Sequence, residues 1–322
     1  MLAALASCLL TTSLEGLEGP PLETPAADAT SDGSGVHDVV QQADASDASD
    51  SARASDAPDG GPVGPTLLVQ TGGRPRGIAV VGTRLYWVEN EPDHLVCMPK
   101  QGPEAGAPRY LEIPSELSTQ PFDIGADDTY AYWSANTVVY RKVLRSGDPC
   151  GSDVAGASYF PGTGTSPTTY LAVANGLVYV TDGATVVVGA DIVTTVGSPP
   201  VPSVVLYPEQ PGAAGIAFVN DTLVWGRDGG LAAGTADPTV PGPIAQDLGS
   251  VSGVTSGVAS DGSSVYFISD DVRIMKMNLG APGTPVTLWT AGEPFGQSDI
   301  AVDDQKIYFT KFGEKQIWTM PK

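Results

Sequence analysis

A short apolar phrase with two large adjacent side chains, usually aromatic, recurs six times in the second part of the chain. We number each repeat from the second residue of its phrase, which is Tyr in five repeats and Val224 in the fourth. These reference positions are 86, 132, 179, 224, 266 and 308, spaced by 46, 47, 45, 42 and 42 residues. Self-similarity at such a period indicates an architecture in which each unit packs against the next.

Each repeat also carries the pattern of several short strands. A branched aliphatic residue stands at position −8, a small residue at −7, and turn-forming residues separate both from position zero. Two further strand-like stretches follow, as in HLVCMPK and PRYLEI of the first repeat. Four strands in about 40–50 residues are typical of a propeller blade. The pattern predicts an all-β fold, a six-bladed β-propeller of four-stranded blades, with the small residues lining its channel. Those small residues are Ala79, Gly125, Ala172, Ala217, Ala259 and Ala301.

The two ends of the repeat region complement each other. The sixth repeat stops after its third strand, and the stretch PTLLVQTG at 65–72 resembles the fourth-strand phrase PVTLWTAG. We therefore expect an N-terminal strand, with Leu67 and Val69 buried, to complete the last blade and close the ring, because closure removes the exposed sheet edges.

The phrase VYVTD, which ends at Asp182, resembles the YWTD repeat of six-bladed propellers, and LYWVE and AYWSA resemble it in part. The resemblance covers about 250 residues as architecture and extends to exported bacterial propellers. Four repeats replace the Asp of the motif, so a ligand role tied to that Asp does not carry over. The replacements are Ala135, Arg227, Ser269 and Lys311.

The first 65 residues differ in kind from the rest. Residues 1–8, MLAALASC, resemble the end of a bacterial lipoprotein signal, in which small residues precede a cysteine that is lipidated. Residues 9–65 lack aromatic residues and carry eleven acids and one base, which predicts a disordered acidic linker. We expect lipidation at Cys8, with an incidental cysteine as the alternative, and a propeller over 66–322. The expected location is the cell envelope, lipid-anchored at the outer membrane and facing the periplasm or the surface.

Charge excludes one class of partner. The chain of 322 residues has a net charge of −21, and nucleic-acid binding needs a basic face. No stretch reaches the roughly 18 apolar residues of a membrane-spanning helix.

Catalytic signatures are sparse. Of the two histidines, His37 lies in the linker and His94 precedes a third strand, and neither belongs to a recognisable triad or zinc pattern. In an exported protein Cys97 and Cys150 could form a disulfide, or they could stay as two free thiols.

Loops at one end of the strands hold the candidate binding residues. Asp123 and Asp299 both occupy position −9 and are expected at the channel mouth, where they could bind calcium, act in acid–base chemistry or be hydrated. The other candidates are Arg74, Arg76, Glu89, Asp93, His94, Phe122, Tyr170, Arg227, Asp228, Asp270, Asp271, Phe295 and Lys311.

These features favour a non-catalytic, envelope-anchored binding or scaffold propeller that is a monomer and needs no cofactor other than, in the weaker alternative, calcium. Its partner is an unknown protein or glycan of the envelope. One alternative is a propeller hydrolase or lyase, similar to the lactonases, that uses channel-mouth carboxylates. A third class is a purely structural envelope protein.

Overall fold

A computed structural model describes residues 64–113, 120–135, 138–145, 148–159, 170–189, 203–240, 243–281 and 283–322. All of them lie in one compact unit, Pro58–Lys322. Their regular secondary structure consists of 22 β-strands. The strands are β1 (Thr66–Gln70), β2 (Arg74–Val81), β3 (Arg84–Asn90), β4 (His94–Pro99), β5 (Arg109–Glu112), β6 (Pro121–Ala126), β7 (Tyr130–Ala135), β8 (Val138–Arg145), β9 (Asp148–Tyr159), β10 (Tyr170–Ala174), β11 (Leu177–Thr181), β12 (Val186–Gly189), β13 (Ser203–Tyr207), β14 (Ile216–Val219), β15 (Thr222–Thr235), β16 (Gln246–Ser260), β17 (Ser264–Ser269), β18 (Arg273–Asn278), β19 (Val286–Thr290), β20 (Ile300–Val302), β21 (Lys306–Lys311) and β22 (Gln316–Pro321).

The strands form an all-β propeller of small antiparallel sheets. In the part of the chain that the structure describes there are five sheets, four with four strands and one with six. The sequence predicts six separate four-stranded sheets, and the difference lies in repeats four and five, which share the six-stranded sheet β14–β15–β16–β17–β18–β19.

The shared sheet has a simple physical origin in the 15-residue strand β16. Up to Val254 this strand pairs with β15 of the fourth repeat, and from Thr255 onward it pairs with β17 of the fifth. The backbone therefore passes from the outer strand of one repeat to the inner strand of the next without a loop, so the two sheets are continuous.

Strand β1 closes the ring. It pairs antiparallel with β22 and lies at the outer edge of the sheet β1–β22–β21–β20, the position that the missing fourth strand of repeat six leaves open. Val69 is 7% exposed, whereas Leu67 is 48% exposed. The expectation that both side chains are buried is wrong for Leu67. Residues two apart in a strand normally face the same side, but the pairing of β1 with β22 is interrupted by a bulge between Leu67 and Val69, which breaks this alternation.

Buried apolar side chains of the described residues form six clusters, and each cluster joins one repeat to the next. In the first repeat, Tyr86 packs into the cluster shared with repeat two, and Trp87 packs into the cluster shared with repeat six. Successive residues of a strand point to opposite faces, so the paired large side chains fill both interfaces of a repeat. The cluster shared by repeats six and one makes the packing cyclic.

The small residues at −7 serve these interfaces. A Cβ added to Gly125 would lie 2.7 Å from Cδ1 of Leu171, the −8 residue of the next repeat. Ala301 likewise shares a cluster with Ile78. The small residues therefore make room for the branched aliphatic side chain of the following repeat. Two of them, Ala259 and Ala301, also line the channel cavity, as the sequence predicts.

Three repeats contain an aspartate at position −5 that organises the first hairpin. Oδ1 of Asp303 accepts the backbone N–H of Lys306 at 2.7 Å, and Oδ2 accepts the hydroxyl of Tyr308 at 3.0 Å. Asp261 makes the equivalent bonds to Ser264 and Tyr266. The side chain thus fixes the turn and provides a partner for the hydroxyl of an otherwise buried tyrosine.

A disulfide links neighbouring repeats. Cys97 on β4 and Cys150 on β9 are bonded, with Cα atoms 5.5 Å apart and a sequence separation of 53. Both side chains are buried.

The expectations for Cys8, His37 and most of the linker fall outside the described residues. Within the described ranges, no helix has the length and apolarity needed to cross a membrane.

Candidate functional site: the channel mouth

The inner strands of the repeats meet at one end of the central channel, and position −9 of each repeat lies at this mouth. Glycine occupies it in three repeats because neighbouring backbones approach closely. A Cβ on Gly77 would lie 2.5 Å from Cα of Asp123, and one on Gly215 would lie 2.5 Å from the amide nitrogen of Val258. The set at this position is Gly77, Asp123, Tyr170, Gly215, Gly257 and Asp299.

Asp123 and Asp299, the predicted acidic pair, are buried at the mouth and bind the backbone in the same way. Asp123 accepts the N–H of the following residue, Ile124, at 2.8 Å and the N–H of Leu171 in the next repeat at 2.7 Å. Asp299 accepts the N–H of Ile78 in the first repeat at 3.0 Å. Each carboxyl group therefore joins its own repeat to the next one around the ring.

A hydroxyl residue at position +2 supports each of these aspartates. The backbone N–H of Asp123 donates to Oγ of Ser134 at 3.1 Å, and that of Asp299 donates to Oγ1 of Thr310 at 2.9 Å. Thr310 in turn donates to the carbonyl of Arg76 at 2.8 Å. Hydrogen bonds therefore hold the mouth at two junctions, between repeats two and three and between repeats six and one.

The two carboxyl groups interact with each other. Burial raises the pKa of Asp123 well above its usual range, and the neighbouring Asp299 raises it further. Burial also raises the pKa of Asp299, to about 6, against the opposing effect of its backbone hydrogen bonds. Burial and the proximity of the other carboxyl group disfavour ionisation of both aspartates at once. Together they line a channel cavity of about 170 Å³.

Arg76 lies beside this pair between two aromatic rings. The centre of its guanidinium group is 5.0 Å from the ring centroid of Phe122 and 5.2 Å from that of Phe312. With the Asn90 amide oriented to satisfy both of its neighbours, its oxygen accepts from Nε of Arg76 at 3.1 Å. Among the described residues, no carboxylate forms an ion pair with Arg76. Burial lowers its pKa, and nearby Tyr170 and Asp93 act in the opposite direction.

Tyr170 connects the channel to a second cavity. Its ring packs edge-on against Phe122, with centroids 4.9 Å apart. Burial raises the pKa of its hydroxyl, and the carboxyl groups of Asp299 and Asp123 add to this effect. The residue lines both the channel cavity and a larger neighbouring pocket of about 630 Å³.

Residues with polar side chains line the larger pocket. One carboxyl oxygen of Asp271 accepts the N–H of Gly296 at 3.1 Å, and burial raises the pKa of this aspartate. Ser298 is buried and donates to the carbonyl of Phe295 at 2.8 Å. The side chain of Gln297 is exposed. The lining consists of Tyr170, Ser256, Asp270, Asp271, Gly296, Gln297 and Ser298.

The structure thus brings six of the predicted residues together, namely Arg76, Phe122, Asp123, Tyr170, Asp271 and Asp299. Arg74 is close by, over the same Phe312 ring at 5.4 Å and paired with Glu91 at 3.4 Å. Asp93 accepts the backbone N–H of Gln120 at 3.1 Å. Asp270 lines the pocket and forms an ion pair with Arg273.

Other predicted residues serve the framework. Glu89 is fully buried and accepts bonds from Gly73 N–H at 2.7 Å and Trp87 Nε1 at 2.8 Å. Phe295 is also fully buried and packs in the cluster between repeats five and six. Lys311 forms an ion pair with Glu314.

Three more predicted residues lie outside the two cavities. Arg227 pairs with Asp247 at 2.8 Å, and the backbone N–H of Asp228 donates to the carbonyl of Pro211. His94 packs edge-on against Tyr110, with ring centroids 5.3 Å apart, and its Nδ1 is buried without a hydrogen-bond partner among the described residues.

Sequence reasoning missed Phe312, Asn90 and Gln297. A signal for the first two was present, because both occupy position +4, where the second strand of a repeat reaches the mouth. Position −10 carries a similar signal: it supplies Arg76 and Phe122 on one side of the mouth and two serines on the other. Gln297 lies in a loop that the repeat pattern does not align.

No group of three or more His, Cys, Asp or Glu side chains within the described ranges is placed to hold a metal ion. The aspartate pair alone would supply few of the six to eight oxygen ligands that calcium takes. The mouth therefore offers a buried pair of carboxyl groups with raised pKa values, a cation flanked by aromatic rings and a pocket lined by residues with polar side chains.

Comparison with known proteins shows the fold. No protein-family model matches the chain, and no curated protein matches it. Among solved structures, a protein of unknown function from Bacteroides thetaiotaomicron aligns with a TM-score of 0.58 and 11% identity, covering 80% of this chain and 72% of the other.

Two enzymes share the architecture. The PQQ-bound aldose sugar dehydrogenase of Streptomyces coelicolor has a TM-score of 0.55 and 14% identity, covering 81% of this chain and 99% of the other. Virginiamycin B lyase of Staphylococcus aureus has a TM-score of 0.52 and 13% identity, covering 80% and 88%. At such identities the likeness extends to the fold alone, so the chain is a propeller similar in architecture to proteins of differing function.

Proposed function

We propose that this protein is a non-catalytic binding module anchored in the cell envelope, and that it takes a small anionic ligand at the channel mouth. The observation that carries the proposal is the environment of Arg76. Its guanidinium group is half-buried between Phe122 and Phe312 and has no carboxylate partner in the described structure. A cation held in this way keeps terminal N–H donors for a bidentate anion such as a carboxylate.

The bonding of the acidic pair favours binding over catalysis. Asp123 and Asp299 accept backbone N–H groups from two repeats each and so act as structural connections. His94, the one histidine of the propeller, packs on Tyr110 and does not line the channel. General acid–base catalysis by these groups would require them to leave bonds on which the ring depends.

The binding proposal is tested by replacing Arg76. Binding of small organic anions to the wild-type protein, Arg76→Gln and the control Lys306→Gln is measured by calorimetry. Lys306 is an exposed cation at the far end of β21 from Phe312, so its replacement matches the change in net charge. We expect Arg76→Gln to lose binding and Lys306→Gln to bind like the wild type. Equal affinities for all three proteins, or no binding of any anion by the wild type, would contradict the proposal.

A hydrolase or lyase, similar to the lactonases, is the second candidate. It is favoured by one observation, the burial of Asp123 and Asp299 together beside a cavity, where the pKa of each is raised, since paired carboxyl groups of unequal pKa are common acid–base catalysts. Turnover of a lactone and ester panel that survives Arg76→Gln but is abolished by Asp299→Asn would support it.

Calcium binding by the same pair is the weaker alternative, and it has a separate test. The backbone bonds of both carboxyl groups compete with a metal ion, so we expect no melting shift on adding calcium at about 1 mM. A shift that disappears in Asp123→Asn would favour the metal site, because ligand binding to the native state raises its stability.

The envelope anchor rests on Cys8 and the acidic linker. Expressed with a complete export signal, the wild-type protein should fractionate with membranes and Cys8→Ser should be released. If the wild type and Cys8→Ser both remain in the soluble fraction, the anchor is contradicted. An envelope protein or glycan is the proposed partner, the outer membrane is the proposed site of the anchor, and the propeller is proposed to act as a monomer.

We also infer that the ring works as six blades, each a unit of four strands, although hydrogen bonds group the strands into five sheets. The six inter-repeat clusters and the change of partner between Val254 and Thr255 support this count. An experimental structure in which one of the clusters joins non-consecutive repeats would contradict it.

A further inference from the structure

The pocket beside the mouth identifies the ligand more closely. It has a volume of about 630 Å³, within the range of roughly 300–1,000 Å³ that is usual for small-molecule sites. Its lining contains hydroxyl, amide and carboxyl groups and one glycine, with no aliphatic side chain among the described residues. Such a lining presents carbon atoms together with hydrogen-bonding groups, so it suits a ligand that has both apolar faces and hydroxyl groups.

The pocket wall and Arg76 share two neighbours, Tyr170 and Phe312. Tyr170 lines the pocket and lies close enough to both Arg76 and Asp271 for their charges to act on its hydroxyl. On the other side, a Cβ on Gly296 of the pocket wall would lie 3.4 Å from Cβ of Phe312, the ring that flanks Arg76. One ligand can therefore reach the cation and the polar wall at the same time.

The polar wall offers groups that are not used within the protein. Asp271 receives the Gly296 N–H on one carboxyl oxygen, and its other oxygen has no hydrogen bond to a described residue. The exposed amide of Gln297 has no side-chain hydrogen bond within the same part of the chain. A carboxyl oxygen accepts hydrogen bonds from vicinal hydroxyl groups, and an amide both donates to them and accepts from them.

Charge narrows the choice of anion. The surroundings of Arg76 are acidic, with Glu91 and Asp93 close enough to influence it and Asp271 near Tyr170. A dianionic phosphate would be repelled by these carboxylates, whereas a single planar carboxylate matches the guanidinium fork and carries half the charge.

We propose that the mouth binds an acidic sugar, a uronic acid residue of a glycan, with its carboxylate on Arg76 and its hydroxyls on Asp271 and Gln297. The apolar face of the sugar ring packs against the aromatic side chains Phe312 and Tyr170, which offer flat apolar surface at the junction of the two sites. This inference rests on the proposed binding function and specifies its ligand.

The test compares five compounds by calorimetry on the full chain. They are D-glucuronate and D-galacturonate, as monosaccharides and short oligosaccharides, with D-glucose, acetate and glucose 6-phosphate as comparisons. We expect at least tenfold tighter binding of one uronate than of glucose or acetate, and affinity that decreases with added salt. Arg76→Gln should weaken uronate binding roughly 10–100-fold, as expected for a charge-assisted bidentate contact, and Gln297→Ala roughly 2–10-fold.

Two further variants show whether a loss of binding comes from the lost contact or from misfolding. Arg76→Lys keeps the charge and should retain the melting temperature while binding uronate and acetate more weakly, with the preference for uronate kept, because lysine lacks the guanidinium fork that binds the carboxylate of both. Lys306→Gln should bind like the wild type. Tighter binding of glucose 6-phosphate, or equal binding of glucose and glucuronate, would overturn the acidic-sugar assignment.

The result also separates the two levels of the proposal. Acetate and uronate binding equally, and both depending on Arg76, would leave the anion-binding mouth standing and overturn the sugar. Absence of binding by all probes and by a wider set of organic anions would overturn both.

Discussion

Nζ of Lys100, at the end of the first repeat's third strand, lies 2.7 Å from Oδ2 of Asp303 in the sixth repeat. Lys322, at the end of the sixth repeat's third strand, makes the same contact with Asp261 of the fifth, at 2.6 Å. Each lysine follows a Met-Pro pair, so the phrase MPK carries the contact. On the face of the ring opposite the mouth, a lysine of one repeat thus binds the turn aspartate of the preceding repeat.

Removing this contact should weaken the junction between repeats six and one. We expect Lys100→Gln to lower the free energy of unfolding by about 1–2 kcal/mol at pH 7, since the pair is largely buried and charge-assisted. The exposed Lys306 has no ion pair within the described structure, and Lys306→Gln should change stability by less than about 0.5 kcal/mol. Denaturant unfolding of the three proteins provides the comparison.

The free energy of unfolding that Lys100→Gln loses should depend on pH. Burial opposes ionisation of Asp303, but bonds from Lys100 and the backbone outweigh it and lower the pKa to about 2. This group therefore stabilises the native state above pH 4 and loses that effect as pH falls toward 2. The difference between wild type and Lys100→Gln should shrink over that interval, and a constant difference would contradict the assignment.

The channel carboxyl pair should act in the opposite direction. The pKa of Asp299 in the native state, about 6, exceeds its ordinary value of 3.8, so folding takes up protons between these values. The stability contributed by this group is present below pH 4 and is lost as pH rises through 6.

Asp299→Asn isolates this contribution. At pH 4 the variant should be less stable by about 1–3 kcal/mol, because one backbone N–H loses its acceptor. The deficit should narrow by roughly 1–3 kcal/mol as pH rises to 7. Thermal melts of the variant, the wild type and the exposed control Asp304→Asn across this range provide the measurement. A stability deficit of Asp299→Asn that widens with pH would contradict the raised pKa of Asp299.

The Cys97–Cys150 disulfide predicts a thiol count and a stability change. The sequence contains three cysteines, so the denatured full chain should titrate one thiol before reduction and three after it. With a loop of 53 residues, reduction should cost up to about 4 kcal/mol in the free energy of unfolding. Three reactive thiols in protein purified in air without a reductant would contradict the disulfide.

Closure of the ring by β1 can be tested with two substitutions in the same strand. Val69 is buried against the cluster shared by repeats six and one, and Val69→Ala should cost about 2 kcal/mol. Leu67 is 48% exposed, and Leu67→Ala should cost less than about 0.5 kcal/mol. Chemical denaturation distinguishes them, and equal losses would indicate that β1 is not fixed in the sheet.

The repeat pattern predicted the propeller because packing between repeats requires the same side chains each time. Positions −8, −7, zero and +1 are constrained by the six clusters, so they recur visibly. It did not predict that repeats four and five share a sheet, because continuity of β16 depends on the absence of a break between two strands and not on any one side chain.

The site was predictable only in part, for a related reason. Asp123 and Asp299 could be found because they repeat at one position. Phe312 and Arg76 meet through the ring closure of repeats six and one, which are far apart in sequence. Their residue types carry no shared pattern, so only the three-dimensional structure shows that the cation lies between rings.

The close approach of backbones at position −9 has a consequence for how such a mouth can diversify. Glycine at Gly77, Gly215 and Gly257 leaves no room for a side chain, so those repeats are closed to substitution. The remaining positions, Asp123, Tyr170 and Asp299, already carry the chemistry of the channel. During descent from a duplicated ancestral unit, a new specificity at this level could therefore arise through half of the ring only, while the other half preserved the spacing.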